Sequence, residues 1–164
     1  MPEVIQTLTG MPELNANLAR LSGEELLLAV EQGLFEIGST IEGDAKELVP
    51  VDTGNLRDSG FTITSSLENL GPTAEPSGEA RASVDDGGTV NAVVGFGGPS
   101  AEYALVQHER TDYHHRVGQA KYLETAVNQR VEEIPTVLAQ RVQAMIEGKF
   151  AEGSGAGIEG SGFE

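Results

Sequence analysis

Leu27, Val30, Leu34, Ile37, Ile41, Ala45 and Leu48 recur at spacings of three and four, a pattern that lines one face of a helix roughly 40 Å long. Ser22-Gly23-Glu24-Glu25 fits a capping box at its start, with Ser22 accepting from the amide three residues on and Glu25 reaching back. Pro50 closes it, because proline has no amide hydrogen and disfavours a helical conformation at Val49. Gly33, Gly38 and Gly43 fall inside the helix, and each lowers its stability by about 0.5 to 1 kcal/mol relative to Ala. The helix is therefore expected to depend on tertiary contacts; close approach of another element and simple tolerance both account for the glycines.

Past the proline, Asp52, Thr53, Gly54 and Asn55 supply side chains that bond nearby amides and a glycine that accepts positive φ, so the chain turns and seats Leu56. Ser59 to Ser65 alternates Phe61 and Ile63 against Thr62 and Thr64, which predicts a strand with one apolar face. A breaker-rich connection through Gly71-Pro72, Pro76, Ser77 and Gly78 follows. Ala80 to Val84 and Thr89 to Phe96 then read as two strands joined by a hairpin turn at Asp85-Asp86-Gly87-Gly88. Gly97-Gly98-Pro99-Ser100 ends the sheet, Glu102 to Glu109 fits a short helix or a further strand, and residues 111 to 120 read as an irregular loop. From about Lys121 a second long helix is expected on the stripe Leu123, Val127, Val131, Ile134, Leu138, Val142 and Met145, kinked or divided by Pro135.

These elements make an α+β fold, a small antiparallel sheet packed with two long helices. At 164 residues the chain has the length of one domain. Residues 1–21 carry Val4, Ile5, Leu8, Leu14, Leu18 and Leu21 around Gly10 and Pro12, the pattern of a short helix pair or a loose arm. The α+β domain spans 22–147. Residues 148–164 are rich in Gly, Ser and Glu, the composition of a flexible tail, with Phe150, Ile158 and Phe163 as points that order it against a neighbour.

Charge narrows the function. Ten Lys and Arg against 26 Asp and Glu leave a net charge of -16, which opposes any broad grip on nucleic-acid phosphates. The excess serves ordinary solubility, or else it forms an acidic surface along which DNA slides without sticking. Cysteine is absent, so disulfides, thiolate nucleophiles and Cys-ligated metals are excluded. No run reaches the roughly 18 apolar residues of a membrane span, and Met1-Pro2-Glu3 lacks the basic and apolar regions of a signal peptide, so a soluble cytoplasmic protein is expected. Trp is absent and aromatics are 5%; an interface built from this chain would gain strength from area or repetition.

Candidate chemistry is sparse. His108, Glu109, Asp112, His114 and His115 could ligate zinc or iron, but their spacing matches no strong metal signature. Pairings such as Asp52 with Glu47 are no more than abundant carboxylates produce by chance. No catalytic residue, metal or cofactor is assigned on this reading.

The stretch Ala45-Lys46-Glu47-Leu48-Val49-Pro50-Val51-Asp52-Thr53-Gly54-Asn55-Leu56-Arg57-Asp58-Ser59 resembles the small neck and tail-completion proteins of tailed phages, a family also labelled minor capsid or tail component. In that family a helix ending in a Val-Pro-Val-Asp-Thr-Gly-like turn leads into a Leu-Arg-x-Ser strand start. Two further blocks are similar: Tyr103-Ala104 with Val106-Gln107-His108-Glu109, and Gly118-Gln119-Ala120-Lys121-Tyr122-Leu123-Glu124 at the entry to the last helix. Together they span about residues 25 to 147, with Gly60 departing from the apolar strand residue expected there. The resemblance implies a non-enzymatic virion protein, in the host cytoplasm during assembly and then in the head-to-tail connector of a siphovirus-like particle. It implies a homo-oligomeric ring, a hexamer or else a dodecamer, between a portal adaptor or head-closure protein and a tail terminator or tail tube protein. DNA would pass through the lumen without specific binding, and no membrane is involved. Pro50, Asp52, Thr53, Gly54 and Leu56 would shape the turn, with Arg57, Asp58, Tyr103, Lys121 and Tyr122 as intersubunit candidates. Alternatives are a tail terminator or minor capsid position, a non-virion assembly factor, or a metal-dependent enzyme built on His108, His114 and His115.

Overall fold

The computed structural model describes residues 23–51, 54–85, 89–99, 101–112 and 116–154. The first long helix, α1, runs Gly23–Leu48 and carries Glu24 and Glu25 in its first turn and Lys46 in its last, complementing the helix dipole at both ends. Ser22, expected to cap it, lies outside the described residues. After Pro50 comes a single helical turn, α2 (Asn55–Asp58), and then β1 (Gly60–Ile63). The Leu-Arg-x-Ser segment is thus this helical turn and its exit, and the strand begins at Gly60.

Strand β1 is central in a three-stranded antiparallel sheet of order β2-β1-β3, with β2 at Glu68–Leu70 and β3 at Val93–Phe96. Phe61 pairs with Leu70 on one side and Gly95 on the other. The expected strand over Ala80 to Val84 is instead a helix, α3 (Gly78–Val84). Ser77 caps it by accepting the Ala80 N–H, and alanines at 80 and 82 carry none of the β-branching that would favour a strand. The proposed hairpin partner of β3 is therefore absent, and β2, in a segment read as loop, takes the sheet edge through the turn at Thr64–Leu67.

Both faces of β1 are covered. Phe61 and Ile63 pack with Val84, Ala74, Ala80 and Val93. Thr62 and Thr64, on the face expected to be polar, are buried as well, because α1 crosses it. A methyl group on Gly38 would stand 2.9 Å from the Thr62 Cγ2, and one on Gly33 2.8 Å from a Leu138 methyl, so these two glycines set the approach of sheet and last helix to α1. Gly43 has open space around it.

Residues 101–109 form a helix, α4 (Ala101–Glu109), one of the two expected alternatives. The second long helix is divided: α5 (Tyr122–Arg130), a 3-10 turn at Val131–Glu133, and α6 (Ile134–Ser154). Pro135 sits in the first turn of α6, where its missing amide costs nothing, so the break falls just before it rather than at a kink. Ile37, Ile41 and Ala45 of α1, with Val49 just after it, meet Leu56, Ala104, Tyr122 and Ala126 in the larger core. Arg130 clamps α5 to α1 through two hydrogen bonds to Asp44, at 2.6 and 3.3 Å, while Arg141 bonds Glu36 at 2.6 Å. No helix among the described residues is long and apolar enough to cross a membrane.

Candidate functional site

The end of α1 is where the three motif-bearing blocks meet. Val49 is fully buried and Leu56 nearly so, and Gly54 between them takes φ 84° to start α2, closed by the Asp58 N–H donating to the Gly54 carbonyl at 2.9 Å. Across from this turn lies Gly118, at φ 86°; a Cβ there would come within 2.5 Å of Pro50 N and the Val49 carbonyl group. Two backbone bonds fasten the contact: Gln119 N–H to the Leu48 carbonyl at 2.8 Å, and Lys121 N–H to the His108 carbonyl at 2.9 Å. Residues 48–51, 54–56, 108 and 118–121 thus form one corner although up to 73 positions separate them in sequence.

Lys121 is the single non-glycine residue with positive φ among the described residues, at 56°. Such a conformation costs roughly 1 kcal/mol or more, and the backbone bond to His108 holds it, together with the lysine side chain. Its Nζ donates to Glu109 Oε2 at 2.7 Å and lies 3.4 Å from Glu124. Hydrogen bonds from Lys121, then from His108, hold the Glu109 carboxyl below the ordinary range, while the bond to Glu109 raises the lysine. Tyr122, next in sequence, points inward. It is 2% exposed, donates to the Ala104 carbonyl at 3.2 Å, and makes edge-on contacts with Phe96 and His108 at 5.1 and 5.0 Å. Burial pushes its hydroxyl up to about 12.

The intersubunit candidates therefore divide. Tyr122 is a core residue, 2% exposed, its ring against Phe96, Ala104 and His108. Lys121 is engaged by Glu109 and Glu124. Arg57 and Asp58 are half exposed and 3.8 Å apart, and Tyr103 is exposed. Pro50, Gly54 and Leu56 occupy the turn as described, while Asp52 and Thr53 lie outside the described residues. So do His114 and His115. His108 gives Nδ1 to Glu109 Oε1 at 2.7 Å. Among the described residues no three His, Asp or Glu side chains are placed to share a metal ion.

Exposed apolar side chains surround the corner. Val51 follows Pro50, Val117 precedes Gly118 and is 56% exposed, and α4 presents Tyr103, Leu105 and Val106, with Leu105 65% exposed. Between Leu105, His108, Phe96, Ala104, Tyr122 and Leu123 lies a shallow depression of about 190 Å³. What this arrangement offers is a fixed angle and an apolar surface.

A polar network missed by the sequence patterning lies one turn back along α1. Glu42 is 1% exposed, accepts from Thr62 Oγ1 at 2.6 Å and Asn69 Nδ2 at 3.2 Å, and pairs with Lys46 Nζ at 2.5 Å. Glu31, also buried, accepts from Ser65 Oγ and the Ser66 N–H. Burial pushes Glu31 up, but the hydrogen bonds from the Thr64–Ser66 turn outweigh it and leave the carboxyl below its ordinary value. The only signal available in sequence was the spacing Glu31, Gly38, Glu42, Ala45, Val49, a helical face whose polar members hid it.

No protein-family model, curated protein or solved structure matches this chain.

Proposed function

We propose that the chain is a structural subunit of the head-to-tail connector of a siphovirus-like phage, a neck or tail-completion ring through which DNA passes. The observation that carries this reading is the corner itself. Three separate blocks that resemble the neck-protein family pack against one another through Gly118, Pro50 and Lys121, and leave Val51, Val117, Tyr103, Leu105 and Val106 uncovered around them.

A connector subunit needs a rigid angle and a repeated interface rather than reactive groups. Exposed apolar side chains beside a backbone corner suit that need, since a closed ring uses one modest interface many times. The net charge of -16 suits a lumen that DNA traverses without adhering. On this reading the ring is a hexamer between a head-closure protein and the tail terminator or tube.

Native mass spectrometry and negative-stain imaging of the purified chain, alone and mixed with the connector proteins of the same particle, test the proposal. Six-membered rings are expected, with the subunit found in the neck of purified particles. A chain that stays monomeric beside those neighbours overturns it.

A further inference from the structure

The end of α1 opposite the corner carries an apolar groove of about 480 Å³, lined by Leu27, Leu28, Val84 and Val90 with Glu24, Glu31 and Asp85 at its edges. Val84 belongs to the smaller core cluster, so the groove opens directly onto that core. Leu26, Leu27 and Leu28 are all exposed. Successive helical residues are turned by about 100°, so these three leave more than half of the helix circumference uncovered. At the corner, Leu105 is the most exposed large apolar side chain among the described residues. We infer that the two surfaces are partners in a contact between copies of the chain, in which α4 of one copy seats Leu105 in the α1 groove of the next. The inference rests on the connector reading and assigns the two faces of its repeated interface.

Charge selects this pairing. Copies that each carry a net charge of -16 repel one another, so a contact between them has to set a cation against acids. Among the cations whose side chains are described, all but Arg116 are engaged within the chain: Lys46 by Glu42, Arg57 by Asp58, Arg81 by Glu68, Arg110 by Asp112, Lys121 by Glu109, Arg130 by Asp44 and Arg141 by Glu36. Arg116 is exposed beside Val117 at the corner and has no such partner. Of the acid side chains described there, Asp58, Glu109, Asp112 and Glu124 are held by those cations, and Glu47 is exposed on the side of α1 away from buried Ala45. At the groove, Glu31 is bonded to Ser65 and Ser66, Glu24 and Asp85 have no cation beside them, and no described cation lines it. Joining like faces would set Arg116 against Arg116, or one acidic rim against another. Joining unlike faces sets Arg116 beside Glu24 and Asp85, and a contact of that kind repeats from copy to copy, closing into a ring where the rotation allows. One copy cannot satisfy its own groove in this way, because about 26 Å of helix separates Glu31 from Leu48.

The absence of native cysteine allows one cysteine to be placed on each face of the full chain. Leu28→Cys and Leu105→Cys proteins, mixed under mild oxidation, are expected to form the mixed disulfide dimer at least tenfold faster than either forms a dimer with itself. A mixed rate no higher than the like-pair rates overturns the inference, whether like faces, another segment or another protein fills the groove. A Leu28→Cys/Leu105→Cys double variant should give a ladder of crosslinked oligomers, since a disulfide needs Cα atoms within about 7 Å; a product confined to one chain overturns the inference. Arg116→Glu breaks no ion pair of its own chain. Placed in the Leu105→Cys protein, it should slow the mixed reaction at least fivefold, after correction for each thiol's rate with a small neutral disulfide, and Glu24→Lys/Asp85→Lys in the Leu28→Cys partner should restore it. No slowing, or no restoration, overturns the pairing. Rings whose crosslinks run through other faces would overturn this inference and leave the connector reading standing, whereas Leu28–Leu105 crosslinks in a chain absent from purified particles would do the reverse.

Discussion

Replacing Gly60 by Ala would put a methyl group 2.5 Å from Lys46 Cε and 3.1 Å from the Phe96 ring. Gly60 stands where the family resemblance called for an apolar strand residue, and the reason is the lysine stem lying over the strand on its way to Glu42. Overpacking of this kind costs about 1 to 3 kcal/mol, and the lysine can relieve it only by moving away and abandoning the carboxylate. Lys46→Ala removes the same pair directly. Its side chain is 28% exposed against 1% for Glu42, so water tempers the loss to about 2 kcal/mol, below the roughly 3 to 5 of a fully buried pair broken on one side. Each single variant thus loses the same ion pair, and the double variant loses it once. Urea unfolding followed by circular dichroism should give about 2 kcal/mol for each single change and about 2 to 3 for Gly60→Ala/Lys46→Ala together, a coupling of at least about 1 kcal/mol. Additivity within about 0.5 kcal/mol would refute the argument, since it would mean that the methyl group and the lysine do not compete for the same space.

Gly118→Ala combines an unfavourable φ with collision against Val49 and Pro50; a loss of about 2 kcal/mol or more in urea unfolding is expected, together with, on the connector reading, loss of ring formation. An unchanged midpoint and intact rings would contradict the account of the corner. Arg130→Met removes the fork on Asp44 and the contact to Glu133, and because the guanidinium is a third exposed the expected effect is a small drop in the urea midpoint, read from the same unfolding curves. Glu31, Glu109 and Asp112 are all held below their ordinary values, Asp112 at about 2 through hydrogen bonds from Arg110. The unfolded chain therefore binds more protons than the folded one as pH falls through 4.5, so their contribution is fully present above about pH 5 and is lost toward pH 2. The urea midpoint should fall between pH 5 and pH 3, and a Glu31→Gln/Glu109→Gln/Asp112→Asn variant should flatten that fall; an equally steep decline would assign it to other groups.

How legible the chain is in sequence depends on whether an element is specified locally. Helix α1, its stop at Pro50, β1 and the α+β class follow from periodicity and from proline's missing donor, all properties of short windows. Ala80 to Val84 misled because alternation of small residues over five positions fits either period, and the Ser77 cap settles it. The polar face of β1 misled for a different reason. Thr62 and Thr64 read as solvent-facing until Glu31 and Glu42, 34 and 20 residues away by the Ser65 and Thr62 bonds, are known to lie over that face. Tyr122, an intersubunit candidate from the resemblance, is likewise illegible as a core residue, because nothing in its own window reveals that Phe96 and His108 pack against it.

The buried carboxylates also bear on the corner. With 5% aromatic residues the core has few large shapes to fix the register of α1 against the sheet, and apolar contacts alone tolerate sliding. Hydrogen bonds do not: Glu42 can meet Thr62 and Asn69 together at only one helix position, and Glu31 meets the Ser65–Ser66 turn at the same one. Val49 and Pro50 follow directly on the end of this helix, about two turns past Glu42, so the register set there also determines where the Gly118 contact forms. A shift of one residue would move the helix end by about 1.5 Å and rotate it by about 100°, enough to break a contact that leaves no room for a methyl group. Glu42→Leu combined with Thr62→Val and Lys46→Met should accordingly keep most of the stability, because apolar residues can replace a buried ion pair when both partners go, yet, on the connector reading, reduce ring formation by loosening the register. A variant as stable as the parent that assembles equally well would show that packing alone fixes the corner.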